Sequence, residues 1–290
     1  MKNILIPTDF SPAAWNAIQY ALLLFADSEC ILYFLNAYIP EIHSNRLMAG
    51  NVPDTIRGCS AQTASEKGLR KTINRIKKEY KNPLHRYTSI SSFSMLIDEV
   101  KEVVEVKHID FIIMSASGGA DNESIFLGRN TVRILNHVYT CPVMVIPPWA
   151  AFENLHSISV ISEYNHLLKG NELNPVVNLA RYFNSTVQIA CIQNATPQLK
   201  ELHQINHEII AEKMGSIYHD FYKLDTEGSL TSTLKSYIDQ ANCQLLVMSN
   251  NTNSYLRNLC HDYIVGRSTF CCHVPLLSLQ LSEENISISS

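Results

Sequence analysis

Two short apolar runs in this chain stop at an acidic residue: "NILIPTDFS" at Asp9 and "SISVISEYN" at Glu163. Ligands of open α/β sheets bind beyond the carboxyl ends of strands, so both positions are candidates for ligand contact. A third stretch, "SASGGADNESIFLGRNT" (115–131), carries Gly118 and Gly128 and runs into Arg129, Asn130 and Thr131 at the start of a helical pattern. Glycines let backbone amides approach a phosphate, and the following helix N-terminus favours anions. Arg129 adds a planar cationic fork suited to phosphate.

Other groupings offer less. His203 and His207 lie four apart on one predicted helix with Glu208 beside them, a metal-ligand spacing without a third clustered ligand. The helix's apolar face reads as Leu199, Leu202, Ile205 and Ile209, which leaves both histidines at its edge or outside, and no metal is expected. The basic run "KGLRKTINRIKK" reads as the solvated face of a helix with Leu69, Ile73 and Ile76 inward, and no interleaved aromatics suggest nucleic acid. Cys59 has no identifiable histidine partner for nucleophilic chemistry.

These residues must be held by elements that the pattern predicts. "NILIP" is a strand buried on both faces. Ser11 then caps a helix that opens on Pro12. Strand and helix alternate onward: strands at 29–37, "LHRYTS", "IDFIIMSAS" and "CPVMVIP", helices at "EKGLRKTINRIKKEY", "MLIDEVKEVVEVK" and "NTVRILNHV". That order predicts a parallel sheet with helices on both faces. From Ser157 the order repeats: "SISVIS", a helix capped by Asn174 with Pro175 behind it, "STVQIACIQ", a helix capped by Thr196-Pro197, "SIYHDFYKLD", "SLTSTLKSYIDQA", "CQLLVMSNN" and "HVPLLSLQL". Ser115 then corresponds to Ser249, and Pro142 to Pro275. The expected domains are 1–148 and 156–282, joined near "PPWAAFENLH" and followed by a polar tail, 283–290.

The bulk properties narrow the class. With 290 residues, 46% of them apolar, the chain has material for two real cores. Its net charge of -4 argues against a general nucleic-acid binder. No apolar run reaches the ~18 residues of a membrane span. The N-terminal apolar stretch is short for a signal peptide, and the eight cysteines form no CxxC pair. A cytoplasmic protein with reduced thiols is expected, the vicinal Cys271-Cys272 included.

A strand ending in the P-x-D-x-S-like "PTDFS", a glycine loop after the fourth strand and a closing "CPVMVIP", in a β-α series written twice, resemble the universal stress protein family. The resemblance covers both halves and implies a tandem member. It implies two similar, open, mostly parallel five-stranded sheets of the adenine-nucleotide alpha-hydrolase-like class. It further implies packing as an internal pseudo-dimer, with 143–147 beside 276–280. It implies that Asp9 faces the adenosine of a bound ATP, with the adenine near Pro7, Thr8 and Ala37. The phosphates would lie on a loop whose four motif positions here are Ser115, Gly118, Gly128 and Arg129, with Asn130 next. Ser115 and Arg129 depart from the family's glycine and hydroxyl.

In the second half a gapless alignment puts Ser249, Thr252 and Asp262 at the glycine positions and Tyr263 at the hydroxyl position, so that site reads as degenerate. "GRST" at Gly266 matches "GRNT" only with two compensating gaps and is set aside. "SGGADN" resembles the SGGxD loop of ATP pyrophosphatases, but follows the fourth strand rather than the first and ends in Asn122. The expected function is a stress-response regulator that binds ATP or another adenine nucleotide in its first half. The alternatives are a ligand-free interaction module and a slow ATP-hydrolysing enzyme using Asp121 or Glu123. Further homo-oligomers are compatible with the sequence.

Overall fold

A strand covered on both faces sends alternate side chains into two cores. In β1 (Lys2–Pro7), Ile4 and Ile6 enter one core and Leu5 the other. The computed structural model describes residues 1–39, 54–116, 127–162, 169–192, 197–224, 230–250, 254–264 and 274–280. The first half continues through α1 (Pro12–Leu24), β2 (Cys30–Tyr38), α2 (Asp54–Glu79), β3 (His85–Phe93), α3 (Leu96–Val106), β4 (Phe111–Ser115), α4 (Arg129–His137) and β5 (Val143–Ile146). The second runs β6 (Ser157–Ser162), α5 (Asn174–Phe183), β7 (Thr186–Ile192), α6 (Pro197–Met214), β8 (His219–Leu224), α7 (Leu230–Gln240), β9 (Leu245–Asn250), α8 (Tyr255–Ile264) and β10 (Leu276–Gln280).

The strands form one ten-stranded sheet in the order β3-β2-β1-β4-β5-β10-β9-β6-β7-β8. Each half is a parallel five-stranded unit, and the join is the antiparallel pair β5–β10, with Val145 opposite Leu276, Met144 opposite Leu277 and Val143 opposite Ser278. The expected pairing of 143–147 with 276–280 is therefore observed. It removes the hazard of two apolar edge strands. Both cores run unbroken across the join: Ile146 and Leu277 share one, Val145 and Leu276 the other.

Local signals are read correctly at α1. Ser11 Oγ accepts from the Ala14 amide at 3.1 Å, and Pro12 takes the first helical position. On α2, Leu69 and Ile76 are buried, while Lys67, Lys71 and Lys78 are exposed. Arg75 leaves that solvated row to lie 3.7 Å over the Trp15 ring and to bond Glu79 at 2.9 Å. Cys30, Cys141, Cys191, Cys243 and Cys260 are buried and outside any disulfide, and burial pushes Cys30 up to about 11 and Cys260 up to about 12. Cys271 and Cys272 lie outside the described residues.

Three expectations are corrected. The cap of α5 is Leu173, in helical conformation, rather than Asn174, because a turn donating the Asn174 amide to Asn171 O leads straight into the helix. On α6 the innermost line is Asn206, Ile210 and Met214, so Ile205 turns outward at 41% exposure. His203 is half-buried beside that line, with its pKa lowered by desolvation, and His207 stacks on Phe221 at 3.7 Å. Finally, the stretch read as a second glycine-type loop contains α8.

Candidate functional site

The strand order within the first half reverses at β1, with β2 on one side and β4 on the other. A crevice opens beyond the carboxyl ends of β1 and β4 at such a point. Pro7 and Thr8 are buried at the end of β1, and Asp9 is exposed just past it. The Thr8 amide donates to Leu35 O at 2.8 Å, and Asn36 Nδ2 donates to Thr8 O at 2.7 Å. The turn is thereby fastened to β2, two residues before the half-buried Ala37 in the case of Leu35. Asp9 Oδ1 accepts the Ser11 amide at 3.0 Å. The carboxylate sits at the N-terminal end of α1, where the helix dipole favours negative charge.

On the β4 side, Ser115 ends the strand opposite Ile146. Gly128 returns to it, donating its amide to Ala116 O at 2.5 Å, and then caps α4 with no side-chain hydrogen bond. Its φ of -75° is one that any residue adopts. Arg129 and Asn130, both exposed, open the helix. The dipole and the first-turn amides suit an anion there. Gly118, Asp121 and Glu123 lie outside the described residues. Thr131, by contrast, is buried, and its hydroxyl donates to Ser115 O and Ala116 O, both at 3.0 Å. It clamps the root of the loop. Asn36 and Thr131 are the two fastening residues that the sequence reading did not assign. For Asn36 the signal was a lone polar side chain late in the apolar run "CILYFLNAY", whereas Thr131 stands among the polar residues Arg129, Asn130 and Arg133 and carried no such signal.

In the second half the strand order reverses at β6, with β9 on one side and β7 on the other. Glu163, Thr252 and Gly266 are outside the described residues. Asp262 and Tyr263 do not stand at a helix start as the gapless alignment required. They fall in the last turn of α8, which begins six residues after Ser249, whereas α4 begins 14 after Ser115. The residue that precedes α8 is Ser254, which accepts the Arg257 amide at 3.3 Å. Asn250, at the end of β9, is buried and donates through Nδ2 to Leu135 O of α4 at 2.5 Å. Arg257 reaches Tyr139 Oη at 2.8 Å across the same junction.

Cavities of about 570 Å³ and about 460 Å³ lie elsewhere. The larger is at the N-terminus of α5, against Lys2, Asp110 and Glu172, and the smaller is beside Asn82 and His85. Among the described residues no group of three or more His, Cys, Asp or Glu is placed to hold a metal ion. No described helix is long and apolar enough to cross a membrane.

Residues 1–147 match the model of the universal stress protein family. A universal stress protein from Archaeoglobus fulgidus shares the fold over 97% of each chain, with a TM-score of 0.69 at 14% identity. A functionally unknown protein from Pseudomonas aeruginosa PAO1 matches over 97% of this chain and 92% of its own, with a TM-score of 0.55 at 11% identity. No curated protein matches the chain. With a family match over half of its length and that fold repeated across both halves, this chain belongs to the universal stress protein family.

Proposed function

We propose that the chain is a cytoplasmic stress-response regulator that binds an adenine nucleotide, ATP foremost, in its first half and not in its second. The units would be 1–148 and 156–282, with 283–290 as a tail. The observation that carries this reading is the strand reversal at β1, with Asp9 past its end and the open start of α4 past the end of neighbouring β4. Asp9 would meet the nucleoside, with the adenine near Pro7, Thr8 and Ala37. Ser115, Gly118, Gly128, Arg129 and Asn130 would meet the phosphates. No residue is assigned a catalytic role.

Calorimetry with ATP tests this. Asp9→Ala is expected to weaken ATP about tenfold or more, the effect of a lost hydrogen bond to a charged group. Glu163→Ala is expected to leave it within about twofold. Equal losses would mean that both halves bind.

Arg129 is expected to grip phosphate. It is exposed, and it makes no ion pair among the described residues. Arg129→Ser should therefore weaken ATP about tenfold while leaving adenosine unchanged, since charge-assisted forks are roughly twice as strong as neutral bonds. Tighter ATP binding by the variant would mean that the guanidinium fills the phosphate space instead. Thr131, whose hydroxyl is committed to Ser115 and Ala116, favours a second reading as a ligand-free interaction module. Absence of nucleotide from the purified protein in native mass spectrometry, with no ATP heat, would select it.

A further inference from the structure

Phe10 follows Asp9 and has a φ of 64°, the left-handed region that a residue with a Cβ disfavours. Strain of this kind persists where the surroundings over-determine it. Here the surroundings are visible. The ring lies on α2 at Gly68, so closely that a Cβ there would sit 2.5 Å from Cε2 and Cζ and 2.9 Å from Cδ2. That part of α2 is anchored: Leu69 is buried, and the buried Ser65 shares a 2.7 Å hydrogen bond with Ser91 of β3. The peptide is also tied on both sides of Phe10. The Phe10 amide donates to Thr8 Oγ1 at 3.1 Å, and the Ser11 amide to Asp9 Oδ1 at 3.0 Å.

We propose that Phe10 is a positioning residue, whose ring in the Gly68 notch holds the left-handed turn that presents the Asp9 carboxylate beyond β1. The glycine on α2 is thereby part of the site, although it lies 59 positions further along the chain than Asp9. A ring that only filled space would not need a strained backbone, and it would not remain 39% exposed. The inference takes its functional meaning from the nucleotide reading above, but its geometry is testable without nucleotide.

Gly68→Ala is the decisive variant, because it keeps Phe10 and fills the notch. Alanine also favours the helix, so loss of fold is not expected. Hydrogen exchange of the Phe10 and Ser11 amides should accelerate about tenfold, while the Thr8 amide, bonded to Leu35 O, stays protected. Phe10→Ala, which removes the ring but keeps the Cβ that disfavours the left-handed turn, should behave alike, and Phe10→Tyr should behave as wild type. Unchanged protection at Phe10 and Ser11 in Gly68→Ala would overturn the proposal, whether or not ATP binds. Where the wild type binds ATP, Gly68→Ala should weaken it about fivefold, and Asp9→Ala combined with Gly68→Ala should lose no more than Asp9→Ala alone. Full additivity would overturn it. A wild type that binds no ATP sinks the nucleotide reading, and the exchange result then decides the positioning role by itself.

Discussion

Leu277→Asp is expected to cost about 4–5 kcal/mol and to separate the two halves of the sheet. Leu277 is fully buried as the second residue of β10, opposite Met144 of β5 and beside Val247 of β9. A carboxylate there would lie in a core built, among the described residues, of hydrophobic side chains such as Met144, Ile146 and Val247, and its desolvation has no compensation. Thermal unfolding should begin roughly 10 °C earlier, and limited proteolysis should then release the first half from the second. The control is the same chemistry at the outer edge. Ser89→Asp, exposed on β3, is expected to stay within about 0.5 kcal/mol of the wild type. A Leu277→Asp protein as stable as that control would mean that the β5–β10 pair is not what joins the halves.

That pair was legible because it is written in the simplest code. "CPVMVIP" and "HVPLLSLQL" are continuous apolar runs, as strands covered on both faces must be, and each closes a β-α series that would otherwise leave an apolar edge. The first-half crevice was legible for a related reason, since a strand's end and a helix's start are both marked in sequence. What failed was register. Ser115 to Pro142 and Ser249 to Pro275 span nearly equal lengths, which suggested an ungapped loop. The helix between them nevertheless sits early in the second copy, with a short connection before it and a long one after. Equal spacing fixes the ends of a segment, not the position of the helix inside it. Ser254 before "YLRNLCHDYI" was the available cap signal. The phase of α6 was not available at all: whether Ile205 or Asn206 faces inward depends on how the helix lies on its sheet, and tertiary packing decided for Asn206.

The second half's altered register has a consequence at Asn250. This residue follows Ser249 as Ala116 follows Ser115, so it stands where the second crevice would begin. It turns instead to the partner half, where its amide meets the carbonyl of Leu135 in the last turns of α4. The helix that opens at Arg129 is thus held near its other end by a residue from the second half. Asn250→Asp keeps the shape and replaces the donor by an acceptor. At neutral pH it would set a carboxylate, buried like the 2%-exposed asparagine, against a carbonyl oxygen, and a loss of about 3–5 kcal/mol is expected. Asn250→Ala, which removes the donor without adding charge, should lose about 1–3 kcal/mol. The aspartate variant should also depend on pH. Burial raises its folded-state pKa above the unfolded value of about 3.9, so between those values the native state binds more protons than the unfolded state, and stability falls as pH rises. Toward about pH 4 the protonated carboxyl donates to Leu135 again, and the deficit should shrink below that of the alanine variant. Denaturant midpoints from pH 4 to pH 8 measure this. A flat difference between Asn250→Asp and the wild type across that range, or a loss below that of alanine at neutral pH, would show that the bond to α4 does not brace the first half.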